Sequence, residues 1–460
     1  MNIEFTYFQP LYGAANSFIY SLVLALLLLT IISFIKGKFD LLYPSFIYNI
    51  CLTGCCSLAA LYTRRWNLPL HFNTALIIII MSLLFFIGGC LADSTFFHRK
   101  FRFPKDNIDM NNSDSQGFHI NWIIWSFLIV LILYCLYLNY VEFINVANQV
   151  TAATDLKEML GPVINGLAHQ NIQMTRWNAY RLRFANGMAY LSVLAIWINI
   201  MDHKYVEVVK WCAFVLLYIP FMVLTGGRQH FMYLIMFSMI SFFLLYRREK
   251  QKNETVQRTI YKEFAIIGIA IASFLVCFLG IGIINGKIGS DTNIMKVFVH
   301  YAGINISAFD VYINELVIPD NQYIGTTTMV PIYGFLHAHG FNVPQFFQYI
   351  TLFTAFGPAT TNVYTAFYRY IHDFGYFGCA LIMILLGFFY TYIYRQLYCY
   401  GLKNWMILVY ASISYPIFLM GREERFFNEI FSTSKLTFIA EILILYKIFE
   451  LLNERRIQVK

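Results

Sequence analysis

Apolar runs of about 20 residues, parted by short polar joints, recur from Ser17 to Leu452. A run of that length crosses a bilayer as a helix, because hydrocarbon offers no partner to unpaired backbone groups and a helix satisfies its own. The pattern predicts about eleven spans, within a range of 10–12: 17–35, 41–62, 74–92, 120–145, 185–201, 205–224, 230–246, 264–284, 377–394, 405–420 and 433–452. The fifth and sixth are parted only by Asp202-His203-Lys204. No polar block between spans is large enough to fold alone. Residues 1–460 are therefore expected to form one all-α, polytopic integral-membrane domain. The pattern breaks once, over Asn285–Tyr376, where a long connection separates the eighth and ninth spans. Long connections are uncommon unless they do something, so residues 285–376 are expected to be a working outer loop containing short helices.

Composition agrees with that pattern. The chain is 59% hydrophobic, 18% aromatic and 13% charged, with a mean hydropathy of +0.58, whereas soluble domains carry about 25% charged residues. The amino-terminal Met-Asn-Ile-Glu-Phe lacks the basic stretch of a cleaved signal, so the first apolar run is expected to remain as a helix. Nine cysteines lie within or beside apolar runs and none lies in the long loop, which makes them small buried hydrophobes rather than a disulfide framework.

The net charge of +8 acquires meaning once it is placed. Lys and Arg accumulate on the cytoplasmic side of membrane proteins. With the basic joint at 247–263 set inside, twenty of the 33 Lys and Arg fall inside, giving an outer amino terminus and an inner carboxyl terminus. That distribution accounts for the charge without nucleic acid. Among the outward basic residues nine are Arg: Arg64, Arg65, Arg176, Arg181, Arg183, Arg228, Arg369, Arg422 and Arg425. A guanidinium presents a planar fork that fits phosphate bidentately, unlike the point charge of Lys. The outer helix ends thus look built for an anionic group.

Three stretches carry candidate chemistry. In Leu224-Thr-Gly-Gly-Arg-Gln229 a tight hairpin would expose Arg228 at two outer helix ends. From Thr361 to Tyr370 the chain has helical character, with Tyr364, Phe367 and Tyr368 on one face, followed by Arg369, His372 and Asp373. Asp373 there is either a helix-terminal partner or a proton acceptor. Gly421-Arg-Glu-Glu-Arg-Phe-Phe-Asn-Glu429 concentrates two Arg and three Glu between the last two spans, where a membrane-protein cleft tends to use them. His337-Ala338-His339 lacks a neighbouring carboxylate or Cys and makes a poor zinc site. No phosphate-binding glycine loop, nucleophile elbow or dinucleotide fingerprint is present.

Together, Asp40-Leu-Leu-Tyr-Pro44, Thr225-Gly-Gly-Arg-Gln229, Asn362-Val-Tyr-Thr-Ala-Phe-Tyr-Arg-Tyr-Ile-His-Asp-Phe-Gly-Tyr-Phe-Gly378 and Gly421-Arg-Glu-Glu-Arg425 resemble the Wzy-type O-antigen polymerases. These are the oligosaccharide repeat-unit polymerases of bacterial inner membranes, and the matches run from residue 40 to 429. The resemblance implies a GT-C-type membrane glycosyltransferase of lipopolysaccharide biosynthesis with its site on the periplasmic side. It implies transfer of a growing glycan from undecaprenyl pyrophosphate to a lipid-linked repeat unit, with no cofactor and no metal. A chain-length regulator and a flippase are the implied partners, within membrane lipid. Arg228 and Arg422 would bind pyrophosphate, with Arg369 and Arg425 next; Asn362 and Tyr364 would contact substrate. Asp373, Glu424, Glu423 and His372, in that order, are candidates for the proton acceptor. The related O-antigen ligases carry a His before the Asn that Asn362 matches, and here Thr361 stands there. A ligase and a lipid-linked oligosaccharide flippase are the alternatives.

Overall fold

Glycine decides how the helices meet. In the computed structural model, Gly88 and Gly387 lie where two long helices cross, α3 (Phe72–Phe97) and α12 (Ala366–Cys399). A Cβ on Gly387 would stand 2.0 Å from the Phe85 carbonyl oxygen, and one on Gly88 would stand 2.1 Å from that of Ile384. Lipid gives helices no hydrophobic reason to associate, so close backbone approach through small residues does that work.

The structure describes residues 6–9, 17–97, 118–153, 155–168, 174–225, 228–252, 268, 280, 293–315, 323–346, 350, 352–356 and 359–458. Eight helices among the described residues are long and apolar enough to cross a membrane. They are α1 (Ile19–Lys36), α2 (Pro44–Tyr62), α3, α4 (Trp122–Val150), α6 (Arg176–Met201), α7 (Tyr205–Thr225), α8 (Arg228–Lys252) and α12. The protein is therefore an all-α, multi-pass membrane protein. The predicted eighth span, 264–284, lies outside the described residues apart from Gly268 and Gly280. Over the predicted tenth, the chain forms α13 (Asn404–Ile413) and α14 (Tyr415–Leu419), and over the eleventh it forms α15 (Thr433–Gln458).

Short elements fill the connections. These are α5 (Leu156–Ala168), α9 (Ile294–Phe298), π1 (Val299–Gly303), α10 (Ile304–Glu315), α11 (Val330–Ala338) and π2 (Phe426–Ile430). A three-stranded sheet was not expected. β1 (Thr6–Phe8) runs parallel to β2 (Leu352–Phe356), which runs antiparallel to β3 (Ala359–Thr361). This corrects the helical reading of 361–370: the helix begins only at Ala366, because Thr361 closes the sheet and 362–365 form an irregular connection.

The chain forms two units. The first comprises residues 1–103, 293–399 and 413–436. In it Asn49 Nδ2 donates to Ser33 Oγ (3.0 Å), and the Thr30 and Thr53 hydroxyls pair (3.1 Å), so polar contacts join α1 to α2. The Asp40-Leu-Leu-Tyr-Pro44 motif is a structural clasp. Asp40 caps the Leu42 N–H (2.8 Å) and accepts from Tyr394, while Pro44 opens α2, where its missing N–H costs nothing. Arg395 grips Asp93 through Nε (2.7 Å) and Nη2 (3.2 Å), and Tyr43 adds a third bond. Gly375, at φ +67, bends α12 so that 366–374 and 376–399 point differently; that left-handed conformation suits glycine alone.

The second unit comprises residues 104–292, 400–412 and 437–460. Its Phe118 carbonyl accepts from Asn199 Nδ2 (2.9 Å) and Trp211 Nε1 (3.0 Å), and Glu207 joins His119 (2.7 Å) and Lys210 (2.8 Å). Arg181 pairs with Glu142 (2.6 Å), tying α6 to α4. The amphipathic α5 covers Phe143, Val146 and Ala147 of α4 with Met159, Leu160 and Val163. Pro162 and two glycines concealed this helix from its propensities.

Candidate active site

All the candidate residues except Arg228 belong to the first unit. Arg228 opens α8 in the second, and its side chain, with Gly226 and Gly227, lies outside the described residues. Of the Arg candidates, Arg422, Arg425 and Arg369 come together.

The bend Gly421–Arg425 is pinned from three directions. Asn305 of α10 donates to the Gly421 carbonyl, and the Ala366 N–H donates to Met420 O (3.0 Å). A Cβ on Gly421 would lie 3.2 Å from the Leu52 Cα of α2. With the backbone held, consecutive side chains must share one crowded space. Glu423 Oε2 accepts from Arg425 Nη2 (2.6 Å), and Glu423 Oε1 lies 3.5 Å from Arg422 Nε. Arg425 also binds Glu429, which accepts from the Tyr415 hydroxyl (2.6 Å).

Glu424 faces the other way and is 2% exposed. Its carboxylate accepts from the backbone of Phe427 (2.6 Å) and Asn428 (3.1 Å) and from Asn428 Nδ2 (2.7 Å). It thereby caps π2, whose first N–H groups have no partner within the turn. Tyr370 approaches it at 3.4 Å. Buried Arg369 donates to the Thr327 carbonyl, which also accepts from Asn428 Nδ2 (3.0 Å).

The environments push the two adjacent carboxyls apart. Burial raises the Glu423 carboxyl, but Arg422 and Arg425, with Arg369 behind them, hold it below the usual carboxylate value. Burial raises Glu424 as well, and there it outweighs the opposing pull of Arg369 and the bonds from Phe427 and Asn428, leaving Glu424 above that value.

Asp373, the first choice for a proton acceptor from sequence, has its oxygens committed. They accept from the Thr327 N–H (3.0 Å), the Thr328 N–H (2.6 Å), the hydroxyls of Thr326 (3.2 Å) and Thr327 (3.0 Å), and His372 Nδ1 (3.0 Å). It gathers the 326–328 turn rather than facing a cleft. Tyr364 is 2% exposed and stacks on Tyr368 (4.7 Å), with Tyr312 and His372 completing the cluster. Asn362 Nδ2 donates to Ile350 O (3.0 Å). In this arrangement both side chains hold the loop together.

Two features of the site are visible only in the fold. The Arg422 guanidinium makes no hydrogen bond among the described residues, its buried Nε has only the 3.5 Å ion pair to Glu423, and its side chain is only 16% exposed. His300, on π1, stands in the field of the same guanidinium. Burial and then Arg422 push its imidazole below the ordinary histidine value, so it is neutral near pH 7. Irregular π turns recur at functional sites; a lone His in sequence carries no such signal.

Compared with known proteins, the chain matches no family model, no curated protein and no solved structure.

Proposed function

We propose that the protein is an oligosaccharide repeat-unit polymerase of the Wzy type, a GT-C-like glycosyltransferase of the bacterial inner membrane with eleven spans. The observation that carries the reading is the Arg422–Glu423–Arg425 bend: a cluster of guanidinium charge at the end of an apolar helix, with one fork that makes no hydrogen bond among the described residues. A pyrophosphate leaving group needs positive charge where its negative charge develops. In the transfer, an acceptor sugar hydroxyl attacks the anomeric carbon of the donor glycan as the carbon–oxygen bond to undecaprenyl pyrophosphate breaks. Arg422 meets the released anion, and Glu423 and Arg425 set its position. The hydroxyl proton passes to a neutral base, a role assigned here to His300, which lies in the field of Arg422. The distribution of basic residues supports a periplasmic site and an outer amino terminus.

The charged cluster sits at the ends of helices rather than at mid-span, which favours group transfer at the surface over carriage across the bilayer. Reconstitution of the purified protein with lipid-linked repeat units tests the reading. A ladder of glycans on undecaprenyl pyrophosphate supports it, and the same reaction with EDTA tests its independence of metal. No ladder from folded protein, or transfer only onto lipid A core, refutes it in favour of another activity or of a ligase.

A further inference from the structure

Between Asp320 and Arg369 the chain carries no Lys, Arg, Asp or Glu for 48 consecutive residues. A water-facing segment of that length would carry about a dozen at ordinary composition. The described stretch 323–346 nevertheless projects large apolar side chains: Ile324 is 71% exposed, Phe341 58%, Phe335 46% and Ile332 37%. Its polar tips fold back instead. The Tyr333 hydroxyl donates to Ile324 O (2.6 Å), His337 Nδ1 meets Val343 O (2.9 Å) and His339 Nδ1 meets Phe335 O (2.8 Å). Scattered exposed hydrophobics are ordinary; a run without charge whose Tyr and His tips bond to its own backbone is not.

The root of this arm is fixed at a definite height. Asp373 gathers Thr326, Thr327 and Thr328 two residues before the Gly375 bend, after which 376–399 runs on as the apolar span. The first residues past the bend, Tyr376 and Phe377, are 48% and 85% exposed. Exposed aromatics at the start of a span mark the membrane boundary. The arm therefore leaves the protein at the level where α12 enters lipid. Its helix α11 has nine residues, about 13 Å at 1.5 Å per residue, too short to cross but suited to lie along the surface.

We propose that residues 323–346 form an interfacial arm that beds Ile324, Ile332, Phe335 and Phe341 in the headgroup–acyl boundary of the adjoining leaflet. The occupant of this surface is lipid. With no charge on the arm, association comes from apolar burial alone and is indifferent to anionic headgroups. The inference stands independently of the proposed enzymatic activity.

Photo-crosslinking tests it on the full chain. Benzoylphenylalanine replaces Ile324, Phe335 or Phe341 one at a time, all exposed positions where a larger ring displaces no core. Each variant is placed in vesicles of phosphatidylcholine alone or of phosphatidylcholine with phosphatidylglycerol, illuminated, and weighed intact. Adducts heavier by one phospholipid at all three sites, equal in both mixtures, are expected. Adducts to a second protein chain, an absence of adducts, or adducts that require phosphatidylglycerol would each overturn the proposal.

Discussion

Arg422→Ala separates chemistry from folding better than any other single change in the cluster. Its guanidinium makes no hydrogen bond among the described residues, and its one ion pair, to Glu423, spans 3.5 Å. Removing it leaves Glu423 still held by Arg425 at 2.6 Å, so no carboxylate becomes orphaned. The loss of stability should be about 1 kcal/mol, the upper end for a loose ion pair. The loss of rate should be much larger. A charge-assisted hydrogen bond contributes roughly 1.5–3 kcal/mol, and each 1.36 kcal/mol in the barrier is tenfold. One bond to the departing pyrophosphate is then worth a factor of about 10 to about 150. Arg422→Lys keeps the charge without the fork and should fall between. The assay is the initial rate of glycan lengthening per folded molecule in vesicles, with the thermal midpoint measured in parallel. A folded Arg422→Ala protein slowed by less than about tenfold would refute the assignment.

Four further outcomes are expected. Glu424→Gln removes an acceptor that caps π2 and should cost about 1–3 kcal/mol. Because the folded Glu424 value is raised, its contribution is present below the unfolded value and is lost as pH rises through the folded one, so stability against pH should be flatter in the variant; parallel profiles would sink this. Asp373→Asn should loosen the 326–328 turn and increase cleavage there by added protease, whereas a stable but inactive variant would return Asp373 to a chemical role. His300→Gln should abolish lengthening with little change in thermal midpoint, and retained activity would discard His300 as the proton acceptor. Gly387→Ala drives a methyl into the Phe85 carbonyl and should destabilise by about 1–3 kcal/mol, read as lowered thermal midpoint; an unchanged midpoint would mean that α3 and α12 do not cross there.

The sequence alone determined that helices cross a membrane and where most begin and end, because in lipid each span must satisfy its own backbone and only long apolar runs can do so. It also marked Arg422–Arg425 as unusual, since five charges in nine residues between two apolar runs need a reason. Roles within that cluster were not legible. Glu423 and Glu424 are identical neighbours in sequence, and only the fold turns one toward two guanidinium groups and the other toward the π2 backbone. Asp373 read as a base because its commitment to Thr327 and Thr328 spans more than forty positions. The sheet was hidden likewise, since β1 and β2 are separated by most of the chain. Local pattern follows from neighbours a few residues apart, whereas the partner of a buried charge or strand comes from anywhere in the fold, and only tertiary packing decides it.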